Sequence, residues 1–203
     1  MYDIKKITQA LNYIASKANQ PGCFNKLKAI KLLYFADRFH LRKYGRFITN
    51  DNYYAMEYGP VGQVAKDVAE ESAFLDSKDR EYSEKYIKRV DQNNFRVVGD
   101  IDEDVFSQSD IEGLDFSLAH FLKFGPFDLA NLSHAYPEWN KFKTLIEKSV
   151  DRHPMSNEDF FSNPAAQDPY LIAYTNGQDF FKDVSDEHAQ ETYQENRKIE
   201  IAF

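Results

Sequence analysis

Apolar residues recur at helical spacing from the start of the chain. Ile4, Ile7, Leu11, Ile14 and Ala18 predict a helix over residues 3–18, ended by Pro21-Gly22. A second, stronger helix is predicted from Asn25 to Lys43. Leu27, Ile30, Leu33, Tyr34 and Leu41 form its buried stripe, Lys26, Lys28, Lys31, Arg38 and Arg42 occupy its other faces, and Gly45 takes the C-cap position. Residues 52–58 are aromatic-rich and free of Gly and Pro, so they read as a strand stopped by Gly59-Pro60. Val61, Val64, Ala65, Val68 and Ala69 then mark a third helix reaching Phe74. Tyr86–Val90 and Phe95–Val98 read as strands joined by a turn at 91–94.

An acidic loop at 100–104 leads into a helix over Ser109–Phe124, with Leu114, Leu118, Phe121 and Leu122 inward. Gly125-Pro126 breaks the pattern. Shorter helices follow at Asp128–His134 and Glu138–Ser149. The fold class expected is mainly α (α+β): a helical domain with a small antiparallel β-sheet whose strands come from Tyr53–Tyr58, Tyr86–Val90 and Phe95–Val98. After residue 150 the character changes. Pro154, Pro164 and Pro169 interrupt a stretch of little periodicity, and residues 177–203 hold seven acidic and three basic side chains. The chain therefore divides into a domain over 1–150 and an extension over 151–203. Two readings of that extension stay open: a helix capping the domain, or a tail ordered on a partner.

Composition narrows the class. A chain of 203 residues with 42% hydrophobic content buries a sizeable core without staples. Its one cysteine, Cys23, rules out an intrachain disulfide and a Cys-rich zinc site. No apolar run is long enough for a membrane span, and the N-terminus lacks the core of a secretion signal, so a cytoplasmic location is expected. The net charge of −8 disfavours general attraction to nucleic acid and suits a basic partner or plain solubility.

A search for catalytic chemistry yields little. No two of His40, His120, His134, His153 and His188 stand three to five residues apart, and there is no Gly-rich phosphate loop and no nucleophile elbow. Cys23 reads as a partly buried small residue. Asp37 and His40 share a helix face and read as a solvated pair. His120 reads as a packed or capping histidine. The acidic runs at 100–104 and 183–187 lack calcium-loop spacing. No cofactor and no metal are expected, nor is the protein expected to be an enzyme. The basic cluster from Lys26 to Arg46 is interleaved with aromatics, as in a nucleic-acid groove, but matches a lysine-faced apolar helix equally well.

One long stretch is distinctive. Lys31-Leu32-Leu33-Tyr34-Phe35-Ala36-Asp37 is followed by Tyr44-Gly45-Arg46-Phe47-Ile48 and then by Tyr58-Gly59-Pro60-Val61, and a later block reads Ser133-His134-Ala135-Tyr136-Pro137-Glu138-Trp139. The order of these blocks closely resembles the Panacea domain, the SocA-like antitoxin domain of phage-associated bacterial proteins, over residues 4–149. The resemblance implies an antitoxin of a type II toxin–antitoxin system, one that neutralises a cognate protein toxin, usually encoded adjacently, by direct binding. An adaptor delivering a toxin to a cytoplasmic protease is the first alternative. A nucleic-acid-binding regulator or a hydrolase is the second. Many relatives carry an N-terminal DNA-binding module. Here the similar region starts close to Met1, so direct DNA binding is not expected.

The motif residues also have structural roles. Asp37 is expected to hold Arg38, Arg46 or Tyr58 in a buried polar network that fixes helix against strand. Gly59 permits a sharp turn before Pro60. Trp139 plugs the core, with His134 bonding a nearby backbone group. These residues read as scaffold. The partner contact is expected on the strand. Tyr54, Met56 and Tyr58 point one way and Tyr53, Ala55 and Glu57 the other, so one set leaves a large aromatic near the surface. Tyr53, Tyr54, Met56 and Tyr58 are the candidate contact residues, aided by the acidic C-terminal region.

Overall fold

The computed structural model describes residues 2–18, 22–149, 151–184 and 187–202. Helix α1 (Ile4–Lys17) starts at Asp3, whose carboxylate accepts from the Lys5 and Lys6 amides and so satisfies two otherwise free donors. Its junction with the next element includes Pro21, which lies outside the described residues. Helix α2 (Lys26–Tyr44) starts at Asn25, which bonds the Lys28 amide, and stops at Gly45 in the left-handed conformation, φ 70°. It is the centre of the molecule. Helices α5 (Gln108–Phe121) and α6 (Pro126–Ser133) pack on it, with α1 on another side. Its side chains from Lys28 to Arg42 are buried without interruption. A helix surrounded on all faces has no solvent stripe. The expectation of one buried stripe with charges on open faces is therefore corrected.

The strands form two sheets, not one. Strands β1 (Phe24–Asn25), β5 (Asn94–Val97) and β4 (Ile87–Arg89) make the first, all antiparallel, with Phe24 opposite Phe95 and Ile87 opposite Val97. The 91–94 turn joins β4 to β5 as the sequence suggests. Strands β3 (Gly59–Gly62), β2 (Tyr53–Met56) and β6 (His153–Pro154) make the second. Gly59-Pro60 does not end the strand region but begins its return limb. Met56 pairs with Gly59, so Glu57 and Tyr58 form a two-residue turn. Tyr58 thus leaves the strand alternation expected for it.

Because residues 59–62 are paired, helix α3 is confined to Gln63–Glu70. The buried Asp51 carboxylate accepts from the Val64 and Ala65 amides and caps it. Helix α4 (Ser77–Ser83) has no apolar period to announce it and rests on its Asp76 cap. The segment expected as one helix over Glu138–Ser149 is two, α7 (Pro137–Asn140) and α8 (Lys143–Lys148).

The C-terminal region joins the same core. Helix α9 (Pro169–Thr175) buries Leu171, and Phe160 and Phe181 are fully enclosed. Phe181 stacks against Phe35 and Phe121, with ring centroids 6.1 and 5.8 Å away. Helix α10 (Glu187–Ala202) lies across the end of α2. Among the described residues, no helix is long and apolar enough to cross a membrane.

Candidate functional site

The signature residues other than Arg46 lie where α2, the β2–β3 hairpin and the α6–α7 corner meet, while Arg46 sits apart, at the start of α5. Four charged side chains of α2 are completely enclosed there: Lys31, Asp37, Arg38 and Arg42. A buried charge is tolerated when it finds hydrogen-bond or ion partners. Each of these four has at least one, some from far along the chain, although the Nε atoms of Arg38 and Arg42 are buried without one among the described residues.

Lys31 Nζ donates to the Pro60 carbonyl at 2.5 Å. Burial holds its pKa well below the ordinary lysine value. Gly59 lies beside it with φ +88°, and a Cβ there would sit 2.2 Å from Ser133 Oγ and 3.2 Å from Lys31 Nζ. Both conformation and space therefore require glycine at 59. The Ser133 hydroxyl donates to the Ala130 carbonyl at 2.6 Å, inside α6.

Asp37 accepts from the Ile48 amide at 2.7 Å, the Thr49 amide at 3.2 Å, the Thr49 hydroxyl, and the Tyr53 hydroxyl at 2.7 Å. It does fasten helix to strand, but through Ile48, Thr49 and Tyr53 rather than Arg38, Arg46 or Tyr58. Burial pushes its pKa up to about 6, against the pull of those hydrogen bonds. His40, one turn on, is not solvated either. Its Nδ1 meets the Arg46 carbonyl at 2.8 Å and its Nε2 the Ser109 hydroxyl at 3.0 Å, and burial lowers its pKa to about 4. Arg46 pairs with Asp110 at 2.9 Å.

Arg38 forms a fully buried ion pair with Glu138, which also accepts from Tyr34 at 2.5 Å. Its guanidinium lies 4.3 Å from the Tyr136 ring centroid and donates to the Ser162 carbonyl at 2.9 Å. Among the described residues no carboxylate pairs with Arg42. It donates to the carbonyls of Phe160, Ser162 and Phe181 and to Asn163 Oδ1, at 2.7 to 3.2 Å. These two arginines rivet residues 160–163 and Phe181 to the central helix.

Trp139 is buried as expected. Its indole N–H donates to the Met56 carbonyl at 2.9 Å, and its ring stacks on His134 with centroids 3.6 Å apart. Burial pushes the His134 pKa down to about 3. Lys31 and Lys143 add to this, while a hydrogen bond with the Glu57 backbone opposes it.

The candidate contact residues divide. Tyr53 is 4% exposed and belongs to the core, so it offers no free surface. Tyr54 and Met56 are half-buried, Tyr54 beneath the Arg152 guanidinium at 4.9 Å. Tyr58, in the hairpin turn, is 51% exposed. Its ring meets that of Phe127, 63% exposed, at 6.0 Å. Sequence reasoning missed Phe127. The available signal was its place opposite the Leu129, Leu132 and Ser133 face of α6. Cys23 is exposed rather than partly buried. Among the described residues no cluster of His, Cys, Asp and Glu has the make-up of a metal site.

This is a mainly helical fold whose motif residues fasten its centre and leave an exposed aromatic pair where the hairpin turn meets α6. The model of the family described as antitoxin SocA-like, Panacea domain, matches residues 30–140, more than half of the chain. The protein belongs to that family. No curated protein and no solved structure matches it.

Proposed function

We propose that this protein is the antitoxin of a toxin–antitoxin pair and neutralises a cognate protein toxin by direct binding rather than by turnover. Membership of the SocA-like antitoxin family carries the reading. The exposed pair Tyr58 and Phe127 supports it with a surface. Large exposed aromatics in contact between a hairpin turn and the start of a helix resemble interface anchors, because they offer area at small entropic cost. The hairpin is held from behind by Trp139 at Met56 and by Lys31 at Pro60, so the tip is presented rigidly. The exposed carboxylates Glu57 and Asp128 flank it, and with a net charge of −8 they suit a basic toxin.

The test is co-expression with the product of the adjacent reading frame. Growth is restored, the two proteins co-elute, and the toxin's half-life is unchanged. A shortened half-life would instead mean delivery to a protease, and a failure to restore growth removes the reading. The double variant Tyr58→Ala/Phe127→Ala keeps its fold, since both side chains are largely in solvent, and binds the toxin at least ~30-fold more weakly.

A further inference from the structure

Helix α10 is attached to the body differently from every other long helix. Of its side chains at 188–198, Ala189 and Tyr193 are buried and the others are exposed. Three contacts at four-residue intervals define its docked face. The Ala189 backbone lies against Gly45, where a Cβ would come within 2.4 Å of the Ala189 carbonyl. The Tyr193 ring meets Phe161, with centroids 5.7 Å apart. Arg197 pairs with Glu158, both about half exposed. Spacings of i, i+4 and i+8 place all three on one stripe.

The surface beneath is larger than the helix that covers it. A trough of 580 Å³ remains between α10 and the body, with Gly45, Phe47, Met155 and Glu158 on one wall and Tyr193 and Arg197 on the other. Phe47 and Met155 are buried at its base and have their own partners in the body, Phe47 against Tyr53 and Phe160. The floor of the groove is therefore built from residues of the body, with α10 supplying one wall. Gly45 matters twice. Its left-handed conformation ends α2, and its missing side chain lets another helix backbone lie directly on that end.

We propose that the face formed by Gly45, Phe47, Glu158 and Phe161 is a helix-docking groove, filled in cis by α10 and taken in trans by a partner helix with the same pattern of small, aromatic and basic residues at four-residue intervals. The occupant is read from α10 itself. A small residue is needed over Gly45, an aromatic ring against Phe161, and a cation beside Glu158. The unfilled trough gives a bulkier helix of that pattern more to touch than α10 has. A tethered helix has an effective concentration on the order of 1 mM. To be closed at rest yet open to competition, the groove requires an intrinsic affinity of about 0.1 mM, which docks α10 roughly nine-tenths of the time. This inference does not rest on the antitoxin reading.

The test uses the full chain and a labelled synthetic peptide of residues 187–203. In the unaltered protein, amides of 188–198 exchange hydrogen at least ~100-fold faster than those in the middle of α2, because α10 opens without global unfolding. In the Ala189→Arg variant the cis helix is released, and the peptide binds about tenfold more tightly than to the unaltered protein. Protection of α10 equal to that of α2 overturns the proposal. So does equal peptide affinity for the two proteins, or a variant whose 188–198 amides are released but which takes no peptide. Tyr193→Ala, which removes the ring and leaves the backbone contact, serves as the second releasing variant and must give the same ordering.

Discussion

Helices α2 and α10 are of similar length and both rich in charge, yet they solve opposite problems. Helix α2 encloses Lys31, Asp37, Arg38 and Arg42 completely, while α10 keeps nearly all of its described side chains in solvent. Local sequence separates them only in part: α2 shows a long apolar stripe among its charges, while the segment of α10 reads either as a capping helix or as a tail ordered on a partner. The difference lies in what the rest of the chain brings. For α2, Glu138 and the carbonyls of Pro60, Phe160, Ser162 and Phe181 arrive from far along the sequence. For α10 the acquired partners are few and at the surface.

The largest test of this contrast is Arg38→Ala. It leaves Glu138 as a buried carboxylate without its cation and is expected to cost about 3–5 kcal/mol in urea denaturation. Replacing Arg38 and Glu138 together by apolar residues is expected to restore much of that loss, because the unpaired charge is then gone. A single variant of near-native stability would mean that the enclosure of α2 is looser than its geometry.

The second test is acid titration of the enclosed groups. His40 and His134 are held neutral, with folded pKa values near 4 and 3, so the unfolded chain takes up their protons first, and stability falls as pH drops below the ordinary histidine value of 6.5. Asp37 and Asp51 act in the other direction. Burial raises both to about 6, so the folded protein holds the extra protons between about 6 and 4, and stability rises as pH falls through that window. The two pairs oppose each other there, and the unaltered protein should show a shallow profile between pH 6 and 4. Asp37→Asn removes one opposing group. Its stability is then expected to fall with acidification by about 1.4 kcal/mol per pH unit more than the parent's. Parallel profiles would show that Asp37 is already ionised in the fold at pH 4.

The smallest effect belongs to α10. A helix docked nine-tenths of the time adds at most about 1.4 kcal/mol to global stability. Tyr193→Ala is therefore expected to cost no more than that, despite removing a buried ring. A loss of about 3 kcal/mol, ordinary for an aromatic core residue, would make α10 as integral as α2.

The helices α1, α2 and α5 and the β4–β5 hairpin were legible in the sequence because apolar spacing and caps announce them locally. The two-sheet arrangement was not. Residues 59–62 hold Gly and Pro, which read as a terminator, while their pairing with β2 is a tertiary fact. The candidate site was half legible. The motif order picked out Asp37, Arg46, Gly59, Pro60, His134 and Trp139 as scaffold; all but Arg46, whose side chain is partly exposed, are buried. The placement of Lys31, Arg38 and Arg42 was inverted, because periodicity assigns long cations to solvent and cannot see an acceptor a hundred residues away. Tyr53 failed as a surface residue for a related reason, since its hydroxyl is the partner that Asp37 requires.

The riveting of α2 has a consequence for synthesis. Arg38 donates to Glu138 and Ser162, and Arg42 to Phe160, Ser162, Asn163 and Phe181. Every one of those acceptors leaves the ribosome at least a hundred residues after the arginine that needs it. During translation the middle of the molecule therefore stands unfinished, with its future interior still wet. The nascent chain can assemble α1 and the first hairpin early. It closes around its central helix only when the region near Phe181 has emerged. A messenger truncated before that point yields a chain with an open centre, exposed to proteases and chaperones, rather than a smaller version of the same fold.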